Sequence, residues 1–310
     1  MKGQTNALQV DYVVEEHETV TLDIARADGS LAGHDLMSPY VWEEKGLKRL
    51  LVRVLKNPLG AGDPTGVIYA GTSRDGLSFT MLDKPAILPG PEAADAGGVE
   101  DPTVVLADSG GLLVFFTGVD ARREQGSLLV AKGAGLDCLT KEKVLLKAPE
   151  GEGNIKEATV ARGADGRYRL FYEYARDNAS RIGLALSDGP EGPWEAIADP
   201  FTIREDRWDN WHLSTGPIVA RKGQPPVMFY NGATADARWR IGWIAFDENY
   251  TRVLDRCVEP MLVPPPPAQR AGTDIAFAAS CLDDGRTIHL YYSLEDRVLR
   301  RARIGRFVNN

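Results

Sequence analysis

Several carboxylates stand immediately ahead of apolar strands in this chain: Glu100-Asp101 in VEDPTVV, Glu157 in KEATVAR and Asp274 in TDIAFAAS. Asp35 and Ser38 hold the same place ahead of YVWEE, and His212 with Ser214 ahead of TGPIVAR. Like charges brought close together raise one another's pKa. Two carboxyl groups pushed apart in pKa can cleave a glycosidic bond, one protonating the leaving oxygen while the other activates water or attacks. Singly, these residues say little, because Asp before Pro suits a turn and Lys156 beside Glu157 suits a surface ion pair. Their recurrence at one place in successive repeats is the signal. The catalytic candidates are Asp101, Glu157, Glu173 and Asp35. Arg53, inside the apolar strand LLVRVL, needs a partner if buried, and could hold Asp101 ionised or bind a hydroxyl. In WDNWHLSTGP, Trp211 could stack on a sugar while Asp209 and His212 bond its hydroxyls. Glu100, Asn231 and Asp274 complete the substrate-binding candidates.

These residues need elements that bring them to one place. Five segments share one pattern of apolar strand, Gly turn and second strand rich in aromatics, starting at Ser38, Glu100, Lys156, Thr215 and Thr273, about 60 residues apart. A further strand follows each pair, and the runs are rich in Val, Ile, Leu, Tyr and Phe with Asp-Gly or Gly-Gly between them. No stretch keeps a helical period over three turns. About four strands in each of five repeats predicts an all-β, five-bladed β-propeller; a two-sheet sandwich leaves the regular spacing unexplained. The blades fall at roughly 35–85, 98–147, 154–199, 211–255 and 272–306 of a single domain spanning 1–310. A strand at 18–28 is expected to join the last blade and close the ring.

Composition narrows the partners. The 310 residues carry 36 Lys and Arg against 44 Asp and Glu, a net charge of −8, which argues against nucleic acid and anionic membranes. Cys138, Cys257 and Cys281 form no CxxC pair, and the four histidines lack metal-ligand spacing, so neither a disulfide scaffold, nor a metal, nor a cofactor is expected. There is no signal-peptide pattern and no apolar run of about 18 residues, so a cytoplasmic protein is expected. GAGDPTG lacks the Lys-Ser/Thr and helix of a phosphate loop, no Gly-x-Ser-x-Gly elbow occurs, and PPPP at 264–267 reads as a rigid connector. The expected partner is a carbohydrate substrate; oligomeric state is not legible.

VEDPTVV, WDNWHLSTGPIV, RCVEPMLVPPP and LYYSLEDRVLRRARI resemble glycoside hydrolase family 130, the β-mannoside phosphorylases and β-mannosidases. KEATVARGADGRYRLFYEY is more similar to family 43. The family 130 resemblance implies Asp101 as the acid, and the family 43 resemblance implies Glu157. The chain departs from family 130 in three places: Thr103 replaces an Arg, Asn231 a His, and Tyr172-Glu173 a His-Arg pair. Those basic residues hold phosphate in the phosphorylases, and an oxyanion needs fixed cationic partners. The departures therefore imply hydrolysis of a mannoside-like bond with inversion, Glu173 or Glu157 activating water. A β-mannoside phosphorylase and a non-catalytic carbohydrate-binding propeller are the alternatives.

Overall fold

The structure is a computed structural model describing residues 9–23, 31, 33–107, 110–148 and 153–309. The described residues form β-strands, turns and short 3-10 turns, with no α-helix, and no helix is long and apolar enough to cross a membrane.

Each repeat folds into its own antiparallel set. The first sheet runs, from inside outward, Asp35–Glu44, Leu47–Leu55, Val67–Ser73, Ser78–Met81, with Thr21–Asp23 added in parallel at the edge. The second runs Gly98–Leu106, Leu112–Val119, Gly126–Gly133, Thr140–Lys147, and the third Gly153–Arg162, Tyr168–Arg176, Ala179–Ser187, Glu195–Ile197. The fourth repeat is divided into two small sheets, because its inner strand is interrupted between His212–Ser214 and Ile218–Val219. The last sheet runs Ala276–Asp283, Ile288–Leu294, Val298–Asn309 and Gln9–Thr19.

The sheets stack face on face. All of Leu112–Val119 is buried, since alternate side chains point to opposite faces of a strand. Leu112, Val114 and Phe116 pack with Leu51 and Ile68 of the first sheet, whereas Leu113 and Phe115 pack with Leu170 and Ala185 of the third. Phe171 and Leu184 join Phe229 and Phe246, which share a core with Leu290 and Tyr292; Tyr291 and Leu299 return to Leu50 and Phe79.

Side chains near the inner strands stitch this circuit closed. Tyr40 donates to Val104 O (3.0 Å), Thr103 to Ala158 O (2.6 Å) and Thr159 to Gly216 O (3.1 Å). Asn231 donates to Ala278 O (3.1 Å), and Ser280 returns to Pro39 O (2.7 Å).

The closing N-terminal strand differs from expectation. Gln9–Thr19 pairs antiparallel with the final strand, while Thr21–Asp23 pairs with the first sheet. The expected 18–28 strand is thus displaced toward the N-terminus, and its residues 24–28 lie outside the described residues. Packing decides the register: Tyr12 is buried edge-on against Phe229 and Trp243, which fixes 9–19 on the last sheet.

Candidate functional site

A β-bulge recurs in the first three inner strands. Pairing slips between Met37 and Tyr40, between Glu100 and Thr103, and between Lys156 and Thr159. Each slip contains one residue with left-handed backbone: Ser38 (φ 49°), Asp101 (φ 50°) and Glu157 (φ 49°). Non-glycine residues adopt this conformation at a cost, and bulges re-aim side chains and are common beside active sites. Here all three bulge residues line one cavity of about 190 Å³.

Arg53, Lys156, Glu173 and Asp296 share that wall. Asp101 accepts a hydrogen bond from Ser38 Oγ (2.7 Å) and lies 3.7 Å from Arg53 Nη1. Arg53 Nη2 binds Glu100 Oε1 at 2.7 Å, and its Nε and Nη2 both donate to Thr65 O. Lys156 Nζ approaches the other Glu100 oxygen at 3.5 Å. Burial would raise the Glu100 carboxyl, but Arg53 and Lys156 overcome it and hold it below the usual range.

Glu157 is different. Among the described residues no ion pair or hydrogen bond holds its carboxyl. Burial, then the charges of Asp101 and Glu173, push it well above the ordinary carboxylate range. Glu173, which accepts from Ser180 Oγ at 2.8 Å, is also raised by burial, against the pull of its hydroxyl partners and Lys156. Asp296, in a left-handed turn (φ 53°), is raised by burial and by Asp101 and Asp35, against Arg53. The cavity therefore contains carboxyls with contrasting environments, as acid–base cleavage requires.

The other sequence candidates lie elsewhere. Asp35 is not on the cavity wall; it accepts from Asn57 (3.1 Å) and Arg297 (3.2 Å). Asp209 is fully buried, bound by Arg204 (3.0 and 2.9 Å), by Tyr230 OH (2.6 Å) and by Arg256. It is a structural anchor, because no oxygen remains open to a ligand. Asn231 is also fully buried: it donates to Thr215 O and Ala278 O and accepts from Ala278 N (2.7 Å). Asp274 sits next to the cavity-lining Ile275 but is itself engaged by Arg240 (2.6 Å) and Arg270 (2.8 Å). Burial opposes its ionisation, yet these arginines lower its pKa. Trp211 is exposed, with Nε1 3.4 Å from Asn178 O, and is not on the wall. His212 accepts from Ser180 N through Nδ1 (3.1 Å) and packs against the cavity residue Trp239.

Sequence reasoning missed Asp296 and Trp239 as site residues. Asp296 follows a strand in a hairpin turn, and Trp239 begins a third strand, so neither fits the search for residues ahead of first strands. The three departures from the family pattern acquire a structural meaning. Thr103 and Asn231 both supply bonds that stitch neighbouring sheets, while Glu173 puts a carboxyl on the cavity wall. A larger cavity, about 770 Å³, lies between the loops at Arg162 and Arg221, at the other ends of the inner strands. Its Asp247 is tied to Thr251 and Arg252, and it lacks a carboxyl cluster like that around Glu157. Among the described residues, no three His, Cys, Asp or Glu side chains are grouped to hold a metal ion.

No family model matches the chain. It is 24% identical over 242 residues to the β-1,2-mannobiose phosphorylase of Listeria innocua, covering 74% of this chain. The match spans 63% of that relative, less than two thirds of its length. The structure of the Listeria innocua enzyme with β-1,2-mannobiose superposes with a TM-score of 0.73 at 19% identity, over 88% of this chain and 91% of that one. A glycosyl hydrolase from Bacteroides ovatus gives 0.74 at 21%, over 87% and 84%. A structure from the family 130 mannoside phosphorylases, which contain glycoside hydrolases targeting β-1,2-mannosidic linkages, gives 0.73 at 21%, over 87% and 84%. The fold is thus one shared with glycoside hydrolases and mannoside phosphorylases. Within that class, the similarity to the Listeria innocua phosphorylase and to the family 130 structure is that of a distant relative.

Proposed function

We propose that this chain is a glycoside hydrolase that cleaves a mannoside-like bond at the mouth of a five-bladed β-propeller. Residues 1–310 make one domain in this reading, because each blade needs its neighbours to bury both faces. The observation that carries the proposal is the Glu157 carboxyl, which has no hydrogen-bond or ion-pair partner among the described residues, is pushed up in pKa, and faces the same cavity as Asp101. Glu157 is the general acid and protonates the leaving oxygen. Asp101, supported by Ser38 and Arg53, takes a proton from water as it attacks the anomeric carbon. The C–O bond to the leaving sugar breaks as the bond to water forms, and the anomeric configuration inverts.

Water fits better than phosphate as the nucleophile. The cavity's two cations, Arg53 and Lys156, already face Glu100, and four acidic side chains share the wall. An incoming phosphate would find no cation free of a carboxylate partner there. Phosphorolysis is the second reading, favoured by the activity of the Listeria innocua relative.

The test is incubation with β-1,2-mannobiose and nitrophenyl mannosides, with and without phosphate. Free mannose formed at a rate independent of phosphate supports hydrolysis. Mannose 1-phosphate, appearing only with phosphate, gives phosphorolysis. Sugar binding without turnover under either condition removes catalysis from the reading.

A further inference from the structure

Trp239 is the aromatic residue on the wall beside the carboxyl cluster whose setting is most specific. Its strand, Trp239–Ile241, pairs with Asn231–Ala233 so that Ala233 lies between Trp239 and His212 in the register. Ala233 has only a methyl group, and the two rings approach to 5.5 Å at an interplanar angle of 33°. Phe277 of the last sheet meets the indole edge-on at 5.2 Å and 62°. A backbone bridge to Ile275 ties the strand to the next sheet. The indole is therefore braced from two sheets, yet it is only half-buried and borders the cavity.

Two ring donors accompany this apolar surface. His212 Nδ1 accepts from Ser180 N, so the neutral ring carries its proton on Nε2. Neither this Nε2–H nor the Trp239 Nε1–H finds an acceptor among the described residues. A sugar offers the complement: an apolar C–H face surrounded by hydroxyl acceptors. An aromatic ring with a polar handle suits such a ligand.

Resting on the glycosidase reading, we infer that Trp239 is a specificity-determining platform for a second sugar ring, with His212 orienting one of its hydroxyls. The preferred substrate is then a saccharide of at least two units, one ring at the Glu157–Asp101 pair and the next on the indole. Trp239 takes no part in bond cleavage.

The experiment measures binding calorimetrically in the Glu157→Gln background, using mannose and β-1,2-mannobiose as probes. Adding Trp239→Ala should weaken β-1,2-mannobiose roughly tenfold, the scale of one well-formed aromatic contact, and mannose less than about twofold. Trp239→Phe, which keeps a ring, should recover most of the loss and controls for damage to the fold. In otherwise wild-type protein, Trp239→Ala should raise KM for β-1,2-mannobiose with kcat little changed. Equal weakening of both sugars, or of neither, overturns the platform while leaving the glycosidase reading intact. If wild-type protein neither cleaves nor binds these sugars, the reading of the site falls, and this inference falls with it.

Discussion

Replacing Glu157 by Gln tests the acid directly, because it removes one proton from the site while nearly preserving its shape. No ion pair is broken by the change, since Glu157 has none among the described residues, so the loss reports chemistry rather than a stranded charge. General acid catalysis contributes about 10²–10⁴-fold, or roughly 2.7–5.4 kcal/mol of barrier at about 1.36 kcal/mol per decade. On β-1,2-mannobiose, whose leaving oxygen must be protonated, kcat should fall by that factor. On a dinitrophenyl mannoside, whose leaving group departs as a stable anion, the loss should stay below about tenfold. The pH dependence has a definite sign. Glu157 works protonated, so activity is present at low pH and falls as pH rises through its elevated pKa; the variant should lack this alkaline limb. Because burial raises its pKa, the fold also loses stability as pH rises above the ordinary carboxylate range toward the folded-state pKa. The melting temperature of Glu157→Gln should therefore gain on wild type with increasing pH. An equal loss on both substrates would refute the assignment. If instead Asp101→Asn shows the leaving-group dependence, the acid is Asp101.

Asp209→Asn leaves the Arg204 and Arg256 charges without their buried partner, which should cost about 3–5 kcal/mol and show as a large drop in melting temperature. KM of the surviving enzyme should be unchanged; a KM rise without a stability loss would return Asp209 to substrate binding. Glu100 is held below the usual range by Arg53 and Lys156, so its stabilisation is present above the ordinary Glu pKa and lost as pH falls through its depressed value. Arg53→Met should flatten that acid limb of the melting curve, and an unaltered limb would show that another carboxylate sets it. Ser38→Ala removes the 2.7 Å bond to Asp101 and should lower kcat about tenfold, a scale set by hydrogen bonds to charged groups. No change in kcat would detach Ser38 from the mechanism.

Much of the circuit was legible because each sheet repeats the same local chemistry. Apolar runs such as LLVFFTGV need two covering faces, and Gly turns separate them at regular intervals. The closing strand was not legible, since its pairing is entirely non-local. QVDYVVEEHET meets Val298–Asn309 nearly the whole chain away, and VTLDIARADG carries an equally plausible strand pattern. Likewise, an acidic residue within WDNWH has no local mark that separates a sugar ligand from an anchor. Only the convergence of Arg204, Tyr230 and Arg256 from separate segments does so.

Which acids at the first three strand starts reach the cavity has a geometric cause. In the first three sheets the bulge residue lies two positions before the side chain that reaches the next sheet: Ser38 before Tyr40, Asp101 before Thr103, Glu157 before Thr159. In the last sheet the slip falls between Ala278 and Ser280, and Ser280 is the side chain that reaches back to Pro39. Counting back two positions from Ser280 arrives at Ala278, not at Asp274. Ala278 is buried in the core, and the last sheet meets the cavity through Ile275 and Phe277, while Asp274 falls earlier, among the arginines. The last sheet's carboxyl comes instead from Asp296, in the turn after Ile288–Leu294. Proximity of an acid to a strand start was therefore too coarse a criterion. In the first three sheets, what selects a cavity residue is its spacing from the hydroxyl that stitches one sheet to the next, because that bond and the bulge are parts of the same local backbone geometry.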